Sequence, residues 1–309
     1  MINQITRSLL VLIIFICKNS PCIAGQITVI NSDLFGKDPV ITEYFAYQLL
    51  EKNPLKNAHY VAAPWAYLIN HNLLAQIPKI DRIENGVTVC QHINYEQIIP
   101  HLKAMGIKTL FTPHVPNGKK FEGITVLPFP HFAVNGTVPA KNKDIFYSFV
   151  GVAYTHPTRK TIFSVKHPAN SYVKERIEWH FNYATFRPDV SAKERAVFEK
   201  KEYQNILARS RFSLCPRGTG ASTIRFWESL QAGAIPVLIG NDMSLPMGFD
   251  WNKCVIKMHE DQIRDIANIL QKILPEQENA MRKTCIKAFK QFSGDNFVSS
   301  IRLYFQQNY

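Results

Sequence analysis

The chain reads as an α/β protein of two parallel-sheet domains, and three observations point there. Short apolar runs alternate with helix-like stretches along most of its 309 residues. The length allows two domains of ordinary size. A turn-rich stretch, Pro128–Asn142, divides the strands into two sets.

Taken in order, residues 1–25 carry Arg7, an apolar run from Leu9 to Cys17 and a small-residue stretch at Cys22–Gly25. That pattern reads as a signal peptide or a short membrane anchor, since the run is too short to span a bilayer comfortably. A first buried element of the fold is the alternative. Ile27–Asn31, His59–Ala63, Val87–Cys90, Lys108–Phe111 and Ile124–Leu127 are the expected strands of a first domain over 26–135. Ile41–Lys52 and Tyr95–Met105 are its expected helices.

A second domain is expected over 144–275. Its elements are a strand Ile145–Val150, helices Ser171–Trp179 and Lys193–Arg209, then Arg211–Gly240, a strand Cys254–Met258 and an amphipathic helix Asp261–Leu274. Helices over Glu276–Lys290 and Asn296–Gln306 make 276–309 a terminal pair expected to pack back on the fold. Arg211–Gly240 is a strand–loop–helix–strand unit: strand Arg211–Cys215, loop Pro216–Ala221, helix Ser222–Gly233, strand Ala234–Ile239. On that helix Ser222, Arg225, Glu228 and Ser229 share a face, with Ile224, Phe226, Trp227 and Leu230 on the rest.

The formal charge of +12 predicts anionic partners. A phosphorylated donor, an acidic glycan or an anionic membrane surface would all satisfy it, but no zinc-finger, RNP or homeodomain pattern points to nucleic acid. None of the six cysteines forms a C-x-x-C pair, so neither zinc nor thioredoxin-type chemistry is indicated. Arg217, Arg225 and the first-turn N–H groups could hold phosphate, and Glu228 could accept from adjacent hydroxyls. The bland alternative is an i,i+3 pair of Arg225 with Glu228. Asp33, His92, His114 and His131 each follow the carboxyl end of an expected strand, the edge at which open α/β sheets bind ligands. One of them could serve as a general base, although any single one could equally be a turn residue. Asn135-Gly136-Thr137 is a glycosylation acceptor pattern.

Phe212, Leu214, Pro216 and Gly218, then Ser222, Thr223, Arg225 and Glu228, then Ala232-Gly233-Ile235-Pro236-Val237 resemble the C-terminal signature of exostosin-like glycosyltransferases. Thr223 stands where that family often has serine. Ser148, Phe149, Gly151 and Arg159 resemble the family's S-F-x-G and following arginine, and the likeness covers about Asp144–Trp251.

The resemblance implies a GT-B-like architecture: two Rossmann-like domains whose parallel sheets face a cleft. It implies an inverting transfer of sugar from a nucleotide diphosphate donor, usually a UDP-sugar, to a glycan hydroxyl. Arg159, Arg217, Gly218, Ser222, Thr223, Arg225 and Glu228 would bind the donor. No Asp-x-Asp triplet occurs, so no metal or other obligatory cofactor is expected beyond the nucleotide-sugar co-substrate. A fucosyltransferase-like GDP-sugar enzyme and a non-catalytic glycan- or nucleotide-binding module are the alternatives. The expected location is membrane-associated or secretory, Golgi-like in a eukaryote.

Overall fold

The computed structural model describes residues 25–37, 41–116, 120–133, 136–178 and 190–308. The expected leader up to residue 24 and Asn135 of the glycosylation triplet lie outside the described residues. Among the described residues no helix is long and apolar enough to cross a membrane.

Two five-stranded sheets carry the fold, and every strand pairing in both is parallel. The first holds β1 (Gln26–Val29), β2 (His59–Ala62), β3 (Gly86–Val89), β4 (Ile107–Thr112) and β5 (Thr125–Pro128), arranged in chain order. The second holds β6 (Ile145–Gly151), β7 (Tyr172–Glu175), β8 (Ser210–Pro216), β9 (Ile235–Ile239) and β10 (Ile256–Met258). Its order is β10-β9-β8-β6-β7. The chain winds outward from β6 to β7 and then returns to lay β8 on the other side. That reversal creates a topological switch point between the carboxyl ends of β6 and β8, where α/β sheets open a crevice. The first sheet, wound in one direction, has no such point among its described strands.

The first domain's helices are α1 (Ile41–Lys52), α2 (Trp65–Asn70) and α3 (Ile99–Ala104). The second domain adds α4 (Pro157–Ser164), α5 (Val190–Arg209), α6 (Ile224–Gln231) and α7 (Ile266–Gln271). α8 (Pro275–Gln291) and α9 (Ser299–Asn308) follow them.

Alternation along the first sheet's strands feeds two cores. Val61, Cys90 and Leu110 join Trp65, Leu68, Ile98 and Leu102 on one face. Tyr60, Val87, Val89 and Phe111 join Leu49 and Leu50 of α1 on the other. Phe297, Val298, Ile301 and Phe305 complete that second core, so α9 and the residues leading into it seal the first domain. α8 instead lies on the second domain, where Cys285, Ala288 and Phe292 meet Phe226, Trp227 and Leu230 of α6. Trp251 bridges them, stacked on Phe292 with ring centroids 5.2 Å apart.

Three elements depart from the sequence reading. Ser171–Trp179 does not form the expected helix. Tyr172–Glu175 pairs with Ser148–Gly151 as edge strand β7, and Trp179 lies outside the described residues. Adjacent Tyr172 and Val173 favour extended backbone, and the open edge of β6 decides the matter. The expected helix at Tyr95–Met105 begins as a 3₁₀ turn over Tyr95–Ile98. Pro100, lacking an N–H, is tolerated only in the first α-helical turn. Asp261–Leu274 is likewise split into a 3₁₀ segment, Glu260–Asp265, and α7.

Phe297 is 1% exposed, and its ring centroid lies 5.0 Å from Phe129 and 5.4 Å from Phe45. Replacing it by alanine is expected to cost about 3–5 kcal/mol of unfolding free energy, measured by urea denaturation. A loss under about 1 kcal/mol would mean that this segment is not needed to seal the first domain.

Candidate functional site

Two arginines meet at the switch point. β6 ends in Phe149-Val150-Gly151, and the loop after it leads through His156 into α4, whose third residue is Arg159. His156 caps that helix, its Nδ1 accepting from the Thr158 N–H at 3.3 Å, and Pro157 occupies the first helical position. Arg159 reaches back across β8, its Nε donating to the Arg217 carbonyl at 2.9 Å and its Nη2 to that of Pro216 at 3.4 Å. From the other side α6 projects Arg225, whose Nη2 donates to the Val150 carbonyl. Its guanidinium carbon lies 4.5 Å from the Phe149 ring centroid and 5.5 Å from that of Tyr203.

A Cβ on Gly151 would stand 3.4 Å from Arg225 Nη2 and 3.6 Å from Arg159 Nη1, so both guanidinium groups crowd the bare end of β6. Burial, reinforced by the charge of Arg225, draws Arg159 down to about 9. Nε and Nη1 of Arg225 are buried with no hydrogen-bond partner. Like charges in that proximity, with donors unspent, call for an anion.

One carboxylate lies beside them. Glu228, one helical turn beyond Arg225, accepts from the Tyr203 hydroxyl at 2.6 Å. Burial raises the Glu228 carboxyl, against the opposing pull of the Tyr203 hydrogen bond and Arg225. Thr223, the N-cap of α6, makes no side-chain cap bond, so the helix presents free N–H groups.

Ser222 is directed elsewhere, toward two histidines of the first domain. His131 Nε2 lies 2.7 Å from its hydroxyl and His114 Nδ1 2.9 Å from it. The protons can be assigned from the partners. His114 Nε2 faces the Gln91 carbonyl at 3.1 Å, so it carries the proton and Nδ1 is the acceptor. The Ser222 hydroxyl therefore donates to His114, and its remaining acceptor capacity takes the N–H of His131 Nε2. Burial keeps both rings neutral, His114 at about 4 and His131 well below the usual range. The close approach needs Gly220, where a Cβ would stand 2.3 Å from His114 Nδ1.

The other expected residues are dispersed. Gly218 lies under Arg159, its N–H donating to the Ser222 carbonyl at 3.1 Å. Arg217 forms an ion pair with Asp242 at 2.5 Å. His92 Nε2 donates to Asn70 and its Nδ1 accepts from the Asn94 N–H, so both ring nitrogens are engaged. Asp33, with a 72% exposed side chain, pairs loosely with Lys37 at 3.7 Å. It lies beyond β1, three strand spacings or about 14 Å from the β4 end that carries His114. Cys90, Cys215, Cys254 and Cys285 are buried free thiols. Among the described residues no three His, Cys, Asp or Glu side chains gather as a metal-binding group.

Tyr203, Asp242 and Glu43 were missed by sequence reasoning. Asp242 follows the end of β9, so the strand-end rule applied to Asp33 would have found it. Glu43 shares a helical stripe with Ala46 and Leu50, which marks it as a carboxylate on an apolar face. Tyr203 has no local signal, because only the fold brings α5 against α6.

Glu43 is 1% exposed and accepts from the backbone N–H of Gln91 at 2.8 Å and of Ala66 at 3.2 Å. It thereby ties together the carboxyl ends of β2 and β3. Burial pushes its carboxyl up to about 8. The fold then keeps a proton that the unfolded chain releases near pH 4, so its contribution is full below about pH 4 and disappears as pH rises through about 8. Glu43→Gln is expected to flatten the fall in unfolding free energy between about pH 5 and 8, followed by urea denaturation across that range. An identical slope in the variant would rule the effect out.

A family model of the Exostosin GT47 domain matches residues 95–273. The chain is similar to Exostosin-1 of Drosophila melanogaster, 26% identical over 169 residues, which is 52% of this chain and 22% of that one. It is also similar to Exostosin-1c of Danio rerio, 34% identical over 88 residues, covering 28% and 12% of the two chains. These matches therefore span less than a quarter of either relative's length. Among solved structures, TarM aligns over 82% of this chain and 61% of its own at 10% identity and a TM-score of 0.41. WaaG, a glycosyltransferase involved in lipopolysaccharide biosynthesis, aligns over 91% and 97% at 9% identity and a TM-score of 0.40. With more than half of its length matched by the family model, the chain belongs to the Exostosin GT47 domain family.

Proposed function

We propose that this protein is an inverting glycosyltransferase that moves a sugar from a nucleotide diphosphate donor, a UDP-sugar by family resemblance, to a glycan hydroxyl. The observation that carries the donor half is the pair of half-buried arginines at the β6–β8 switch point, with Arg225 holding two unbonded donor nitrogens. A diphosphate beside them would relieve their mutual repulsion. The free N–H groups of α6 add partial positive charge at the same edge. Glu228, held by Tyr203 through one oxygen, has a second oxygen for the ribose hydroxyls. Arg217 is a positioning residue in this reading, since its ion pair with Asp242 orders the loop over which Arg159 reaches.

In the transfer the acceptor oxygen forms its bond to the anomeric carbon from the face opposite the diphosphate. The carbon–oxygen bond to the leaving diphosphate breaks, and the acceptor proton passes to a base. Of the four expected bases, His92 and His114 have both ring nitrogens engaged. Asp33 and the second ring nitrogen of His131 remain, and His131 lies next to the donor loop. The arginines supply the charge that a metal supplies in other transferases, so turnover is expected to persist in excess chelator. Abolition by chelator, reversed by a divalent cation, would overturn metal independence.

Calorimetry against UDP tests the donor site. Arg225→Met is expected to weaken UDP at least about tenfold and Glu228→Ala by a similar factor. Unchanged affinity in both variants would sink the assignment. For the base, Asp33→Asn and His131→Ala are expected to separate: the one that serves loses about 10²–10⁴-fold in kcat while still binding UDP. Retained kcat in both would exclude the pair.

A further inference from the structure

On the edge of the second sheet opposite the arginine pair lies a groove of about 670 Å³. Its walls come from the segment before β6, the start of β8, the turn before β9 and the first turns of α8. These are the amino ends of the strands, and β6, seven residues long, separates them from the switch point by about 20 Å. Lys141, Lys143, Arg211, Arg282 and Lys283 line it, and among the described residues Glu278 is its only carboxylate. That carboxylate is already shared: Arg211 donates to Oε2 through Nε at 2.9 Å and Nη2 at 2.6 Å, and Arg282 holds Oε1. Arg282 also donates to the Gly233 carbonyl at 2.5 Å. Two arginines thus share one buried carboxylate, and among the described residues Lys141, Lys143 and Lys283 form no ion pair.

Lys143 is the clearest case. It is half-buried, and its Nζ donates to a neutral group, the Ala232 carbonyl, at 2.8 Å. The adjacent Asp144 is committed to Arg209. Burial and then the charge of Arg282 pull the Lys143 amine down to about 7, against the weaker opposing influence of Cys285 and Glu278.

We propose that this groove is a second anion site, distinct from the nucleotide site, that takes a phosphate dianion, free or esterified to a sugar. The excess of cationic over anionic side chains suits a dianion, and the volume leaves room for a sugar ring. A bound dianion stabilises charged Lys143, so binding takes up a proton and weakens as pH rises above about 7.

Calorimetry of the full chain at about pH 8, where a phosphate monoester is already dianionic, reads this directly in two buffers of different ionisation enthalpy. The probes are inorganic phosphate and glucose 6-phosphate. Expected is binding with uptake of about one proton, and loss of that uptake with about tenfold weaker binding in Lys143→Met. The exposed substitution Lys283→Glu, which disturbs no packing, is expected to weaken binding several-fold. Tighter binding of the ester assigns the sugar, and equal binding assigns free phosphate. Arg225→Met separates the two sites, because the groove must keep its affinity in that variant. No binding at millimolar ligand, unchanged uptake in Lys143→Met, or binding lost in Arg225→Met would each overturn the proposal.

Discussion

The proposed chemistry depends on a repulsion that the fold holds in place. Arg159 and Arg225 come from helices that follow different strands, yet both are drawn to the bare end of β6 at Gly151. Phe149 and Tyr203 give the Arg225 guanidinium aromatic faces to rest on, and main-chain carbonyls take some of the N–H groups. These contacts compensate part of the desolvation of two cations, while burial and the charge of Arg225 still draw Arg159 below its usual range. Strain of this kind persists only where the surrounding structure over-determines it. Here the reversal of strand order does so, because it is what sets β6 beside β8.

The two domains meet through Ser222, His114 and His131. Ser222 stands between His114 and His131, so the loop containing Gly218 and Gly220 is pinned against the carboxyl ends of β4 and β5. Behind His114 the Gln91 main chain accepts from the ring through its carbonyl and donates through its N–H to Glu43. The first domain therefore presents the loop with a neutral, pre-oriented wall. Neutrality matters there, since charged imidazoles would compete with the arginines for whatever anion binds.

Much of the fold was legible because it is local. Short apolar runs mark nine of the ten strands among the described residues to within a residue or two, and α1 has the bounds its spacing predicts. β7 was misread because an edge strand is made by its neighbour rather than by its own periodicity. Arg225 and Glu228 were legible as one turn of one helix. Their companions were not, because strand order is absent from a linear pattern. The four strand-end residues were treated as equals, whereas the sheet puts β4 and β5 side by side and leaves Asp33 on the far strand. His114 and His131 consequently meet Ser222, partnerships 108 and 91 positions apart that no spacing rule anticipates.

The path of α9 bears on synthesis as well as stability. Phe297, Ile301 and Phe305 fill a core whose other members end near Phe132, so the first domain's apolar face stays uncovered while the second is being made. At about 5–20 residues per second, that exposure lasts on the order of ten seconds. The second domain has its own core and can form without waiting. On the ribosome the order of completion is thus inverted: the domain made first is finished last.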